Sequence, residues 1–147
     1  MSKFSDYLEV QLVNHIFRTP AYSAPSTIYI GLFTADPTDA GSGAEVNPAG
    51  TWTDYERIDA ANPTGSGAAK ETGWDAPGAT DGTTQNAKVI TFPANNGAAS
   101  VTVTHIGIYD AATSGNLLFH APLASSKTLL QGDVLSFGIG AITVTLD

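Results

Sequence analysis

Three histidines, His15, His105 and His120, are the side chains of this sequence best suited to proton transfer or transition-metal binding near neutral pH. Their spacing supports neither role. A metal centre needs convergent ligands at recognisable intervals, and no His-x₃-His pair or histidine–carboxylate run supplies them. Alternation along VTVTH (101–105) places His105 on one face with Val101 and Val103, His120 shares a face with Leu118, and His15 falls near the end of a helix. All three read as structural histidines.

Nucleophilic serine chemistry fares no better. Gly41-Ser42-Gly43 and Gly65-Ser66-Gly67 lack the G-x-S-x-G spacing and lie in loop-like sequence, not at a strand-to-helix elbow. No glycine-rich stretch leads into the Lys-Ser/Thr start of a phosphate-binding helix. Asp54 and Glu56, two apart on an expected strand, share a face as a glycosidase pair would, but among 14 acidic residues such pairs arise by chance. Asp36, Asp39 and Glu45 offer hard oxygen ligands for calcium on one flexible stretch. Their spacing departs from the EF-hand loop, and Asp36-Pro37 is an ordinary turn opening. The residues therefore assign no catalytic, cofactor-binding or metal site.

Composition narrows the field further. The absence of cysteine excludes disulfides, thiolate metal sites and cysteine nucleophiles together. With 6 basic against 14 acidic side chains the formal charge is −8, and Lys3, Arg18, Arg57, Lys70, Lys88 and Lys127 are scattered singly. Such a chain lacks the cationic surface that nucleic-acid affinity rests on. No apolar run approaches the roughly 20 residues of a membrane span, and the opening stretch, with Asp6 and Glu9, does not read as a signal peptide. Only 14% of residues are charged, about half the usual share, which describes a surface suited to burial against other protein.

The elements that would position these residues are mostly β. The 147 residues read as a single domain: an N-terminal helix and arm over 1–26, then an antiparallel β-sandwich or open, jelly-roll-like barrel over 27–147 with a long loop excursion at about 35–86. Residues 3–18 contain no glycine or proline, and Phe4, Leu8, Leu12 and Ile16 form an i, i+4 row that predicts a helix capped by Ser2. Tyr7, Val10, Val13 and Phe17 make a second apolar face, so this helix needs cover on two sides. Strands are expected at 27–34, 54–59, 87–93, 101–110, 116–123, 126–130, 134–139 and 142–146, with turns at Asn95-Asn96-Gly97, 110–115 and Gln131-Gly132-Asp133. Trp52 and Trp74 imply partial order within the excursion, since two large aromatics are poorly explained as solvated linker.

Four segments carry a resemblance: SKFSDYLEVQLVNHIFRT at the start, YIGLFTADPTDAG (29–41), YERI (55–58), and ITFP followed by VTHIGIYDAATSGNLLFHAPLASSKTLLQGDVLSFGIGAITVTLD. Together they resemble a family of tailed-bacteriophage virion proteins, often labelled tail-fibre-like, that includes capsid decoration (head cement) proteins. The resemblance implies no catalytic residues and no cofactor. It implies a homotrimer that is made in the bacterial host cytoplasm, binds the outside of the phage head and bridges subunits of the major capsid protein. The alternative is a tail fibre or tail adaptor component. A third reading, from the aromatics, is a carbohydrate-binding β-sandwich that stacks sugars on Trp52 and Trp74. Candidate contacts to another subunit or the shell are Phe4, Tyr7, Leu8, Val10, Leu12, Val13 and Phe17 on the helix, with Trp52 and Trp74 on the excursion.

Overall fold

The computed structural model describes residues 3–46, 52–63, 69–78 and 82–146. The helix begins later than its sequence suggests. Lys3–Phe4 form a short strand, β1, antiparallel to β7 (Leu117–Leu129), and Ser5 turns the chain into α1, Asp6–Phe17. Ser2 lies outside the described residues; Ser5 performs the capping, its Oγ accepting from the Leu8 N–H at 3.2 Å while donating to the Leu117 carbonyl. Propensity could not separate Phe4 from the helix, because its partner Phe119 is far off in sequence; the two rings pack with centroids 5.1 Å apart.

β2 (Tyr29–Phe33), β3 (Ile58–Asp59), β6 (Val101–Tyr109) and β7 (Leu117–Leu129) complete a five-stranded antiparallel sheet in the order β1-β7-β6-β2-β3. Two ribbons, β4 (Thr83–Gln85) with β9 (Thr143–Thr145) and β5 (Ile90–Thr91) with β8 (Ser136–Phe137), complete the strands. Ile30, Leu32, Ile106 and Ile108 from the sheet share one buried cluster with Ile90, Phe92, Leu135, Ile142 and Val144 from in and around the ribbons. Among the described residues the fold is thus mainly β, antiparallel and sandwich-like, with one α-helix and no closed barrel.

Two expected strands, 116–123 and 126–130, are one strand of 13 residues. A register shift between Val103, paired with Lys127, and His105, paired with Pro122, takes up the irregularity between the two expected strands. The strand expected at 54–59 is reduced to β3, and β4 arises inside the excursion, where alternation is too short to read. Buried asparagines pin the loops. Asn86 donates to the Lys88 and Gly138 carbonyls and accepts from the Ile142 N–H. Asn95 bonds the Ala99 and Leu129 carbonyls and the Gly97 N–H.

Candidate interface and the polar clusters beside it

α1 is the least covered element of the fold. Leu8 is its one buried residue; Tyr7, Gln11, Leu12 and Asn14 are half-buried. The i, i+4 row of the helix climbs out of the core, from Leu8 at 5% exposure, through half-buried Leu12, to Ile16 at 67%. Val10, Val13 and Phe17 on the second face are 56%, 55% and 78% exposed. The N-terminal turn is thus rooted against β7 while the C-terminal half presents apolar side chains on both faces to solvent. His15 Nδ1 accepts the Tyr22 N–H at 3.1 Å, tying the following arm back to the helix.

The other interface candidates divide. Phe4 is half-buried against Phe119. Trp52 is fully buried among Tyr55 and the cluster beneath the sheet, with ring centroids 5.6 Å apart, so it is a core residue with no face for a partner or a sugar. Trp74 packs partly against the same core. It also borders an apolar groove of about 580 Å³ with Ile28, Ile108, Phe119, Val144 and Leu146.

On the sheet's outer face the chain bends back over a glycine pair. Gly31 and Gly107 are register partners on β2 and β6. A Cβ on Gly107 would meet Phe33 Cε2 at 2.6 Å, and one on Gly31 would meet Glu45 Oε1 at 2.9 Å. The missing side chains let Phe33 and Tyr109 lie close to the sheet, stacked with centroids 6.2 Å apart. Residues 44–46 add to the β2 edge through Thr34 N–H to Ala44 O and Val46 N–H to Leu32 O. That brings Glu45 to Arg57: Nε and Nη2 each donate to one carboxylate oxygen at 2.7 Å. The Tyr55 hydroxyl donates to Glu45 Oε1 at 3.0 Å and accepts the Leu32 N–H at 2.8 Å, where β3 no longer covers β2. Burial pushes the Tyr55 and Tyr109 phenols up, Tyr109 to about 12, and the Glu45 charge adds to both. Burial opposes the Arg57 charge, but the bonds and charge of Glu45 overcome it and hold the guanidinium above its usual range.

This pairing removes Glu45 from the calcium trio weighed from sequence. Asp36 and Asp39 instead flank the buried ring of His120, with Nδ1 3.3 Å from Asp36 Oδ1 and Nε2 3.0 Å from Asp39 Oδ1. His105 Nε2 lies 3.9 Å from Asp36 Oδ2. The Thr38 N–H, donating at 2.9 Å, holds the Asp36 carboxyl below the usual carboxylate range, and the two histidines and Lys3 add to this. Among the described residues no group of three or more His, Asp or Glu side chains could hold a metal ion. Asp54 and Glu56 are exposed and flank the buried Tyr55. Ser42 is exposed in the 38–43 turn, and Gly65-Ser66-Gly67 lies outside the described residues. Among the described residues no helix is long and apolar enough to cross a membrane.

Sequence reasoning missed the Glu45–Arg57 pair and the Asp36–His120–Asp39 cluster. In the second the partners stand 81 residues apart, and the one local signal was Asp36-Pro37 directly after a strong strand. A family model described as Podophage GP4 fiber I protein gp80 matches residues 3–145. The chain belongs to that family. It is accordingly a structural protein of the phage particle, of the tail-fibre-like kind that the four segments resemble. No curated protein matches the sequence.

Proposed function

We propose that the protein is a compact subunit on the outside of a phage particle, attached through the exposed side of α1 from Val10 to Phe17 to a neighbouring virion protein or to further copies of itself. The carrying observation is the exposure of Val10, Val13, Ile16 and Phe17 on a helix whose first turn is firmly rooted. Single exposed apolar residues are unremarkable, but four on three turns form a patch of the kind that marks an interaction site. The low charge of the chain supports this, because few ions need desolvating when it is covered.

The family description favours placement in a fibre or at its base. A second reading is decoration of the head, as a homotrimer bridging subunits of the major capsid protein. The compactness of the sandwich favours it, since the described residues contain no extended shaft. A cement protein stabilises the assembled shell by binding only that state and should approach the major capsid protein in abundance. A fibre subunit should be far scarcer. Quantitative mass spectrometry of purified particles reads that ratio directly. Absence of the chain from particles would refute both placements.

A further inference from the structure

The exposed side of α1 is ordered in charge as well as apolar. With about 3.6 residues per turn, Asp6, Val10, Val13 and Phe17 fall within about 60° of one another and form one line along the helix. All four are exposed. The charges are divided between the two ends of that line. Asp6 and Glu9 occupy the first turn and Arg18 stands at the C-cap. Glu9 and Arg18 are exposed too, and the side chains of Asp6, Glu9 and Arg18 have no hydrogen-bond or ion-pair partner among the described residues. Charges so placed suit the dipole of their own helix, but that effect requires no apolar line between them.

We propose that this line is covered by α1 of a second copy of the chain, antiparallel to the first across a twofold axis close to Val13. The proposal rests on the reading that α1 is the attachment surface, and names what covers it. A twofold contact requires a surface complementary to itself, and this one is acidic at one end, basic at the other and apolar between. An axis level with positions 13 and 14 sets Val10 beside Phe17 of the second copy, a small side chain against a large one, and Val13 beside its own counterpart. The acidic first turn of each helix then lies next to Arg18 of the other, and the two helix dipoles run in opposite directions. Parallel copies, as in a threefold bundle, would gather the acidic turns at one end and the arginines at the other, and like charges so juxtaposed are penalised. Helices of 12 residues, about 18 Å long, cover less than the about 800 Å² per partner of stable complexes. The pair is therefore weak for the free chain and strengthened wherever a particle holds two copies side by side.

The chain has no cysteine, so a single introduced thiol reports on a single position. Val10→Cys, Val13→Cys and Phe17→Cys are made separately in the full chain and oxidised at high protein concentration. Val10 and Val13 are 56% and 55% exposed, so random collision would couple them at equal rates. The antiparallel pair holds the two copies of position 13 almost level, but sets the two copies of position 10, and of position 17, about 10 Å apart along the helices. Val13→Cys should thus form disulfide dimers at least tenfold faster than Val10→Cys or Phe17→Cys alone. An equimolar mixture of Val10→Cys and Phe17→Cys should give mixed dimers at a rate near that of Val13→Cys. Adding Arg18→Glu to Val13→Cys should slow coupling severalfold. Adding Glu9→Lys as well should restore most of the rate, although the two charge changes together oppose the helix dipole at both ends. Equal coupling of Val10→Cys and Val13→Cys, or no mixed dimer from Val10→Cys with Phe17→Cys, would overturn the proposal. Recovery of Phe17→Ser with purified particles separates the two failures. If that recovery is reduced, attachment through α1 stands with another virion protein as its occupant; if it is normal, the attachment reading fails as well.

Discussion

The Arg57 guanidinium lies 3.3 Å above the centroid of the Tyr109 ring. From that position it also holds both oxygens of Glu45 and donates to the Ala111 and Ser114 carbonyls, at 3.0 and 2.6 Å. One cation therefore joins the added edge at residues 44–46, the approach to β3 and the turn between β6 and β7. Arg57→Met leaves the Glu45 carboxylate unpaired beside two phenols. Breaking a buried pair on one side costs about 3–5 kcal/mol. The Glu45 side chain keeps 25% of its surface in water and Arg57 only 9%, so the lower end, about 3 kcal/mol, is expected in urea unfolding. Arg57→Lys should recover little, because an ammonium cannot span both oxygens. The double variant Arg57→Met/Glu45→Met should recover most of the loss.

The paired glycines give a steric test. A methyl group at Gly107 collides with Phe33 and with Leu117 Cδ1, the latter at 2.8 Å. Gly107→Ala should therefore cost about 1–3 kcal/mol through overpacking. Gly138 has nothing within 4 Å of the corresponding position. Gly138→Ala should stay within about 0.5 kcal/mol of the parent in the same unfolding assay. Equal effects at the two sites would count against the close packing of Phe33 and Tyr109 on the sheet.

Alkali should release the protein in a defined window. Tyr109 in the folded state titrates at about 12 and Tyr55 higher still, because burial and then the Glu45 charge disfavour the phenolate. Unfolded tyrosines ionise near 10. The unfolded state loses these protons first, so the stability they contribute is intact below about pH 10 and is lost as pH rises toward 12. Phenolate absorbance of the native protein at pH about 11 should show both phenols still protonated, with full ionisation on adding denaturant. Tyr109→Phe should remove the step near 12 from the native titration curve.

Substitutions along α1 should separate stability from attachment. Leu8 is 5% exposed, so Leu8→Ala should cost about 2–4 kcal/mol. Ile16→Ser and Phe17→Ser alter side chains that are 67% and 78% exposed, and the isolated chain should unfold within about 0.5 kcal/mol of the parent. The same two changes should sharply reduce the amount of protein recovered with purified particles. Normal recovery with both substitutions in place would move the attachment surface away from α1.

What could be read from the residues follows the reach of each signal. β2 and β6 were legible because alternation and β-branched content persist over YIGLF and VTVTHIGIY, and α1 because sixteen residues pass without glycine or proline. The true cap, Ser5, was hidden because β1 exists only through pairing with β7, more than 100 residues away. The excursion was read as partly ordered because of Trp52 and Trp74, and Trp52 and Tyr55 in it are core residues; their packing on Phe92 and the sheet leaves no periodic trace in the surrounding sequence. The second apolar face of α1 was read as needing cover, and the structure leaves Val10, Val13 and Phe17 on it exposed. The histidines were read as structural one at a time. Their grouping depends on β6–β7 register and on where the loop after β2 lands, neither of which single-residue spacing encodes.

The central claim, attachment of a virion subunit through α1, is tested most directly by a cryo-electron-microscopy reconstruction of the phage particle that resolves this chain. The expected map shows the sandwich on the particle exterior with Val10, Val13, Ile16 and Phe17 buried against a neighbouring protein or a second copy. A map in which the chain is present and those four side chains face solvent would contradict it.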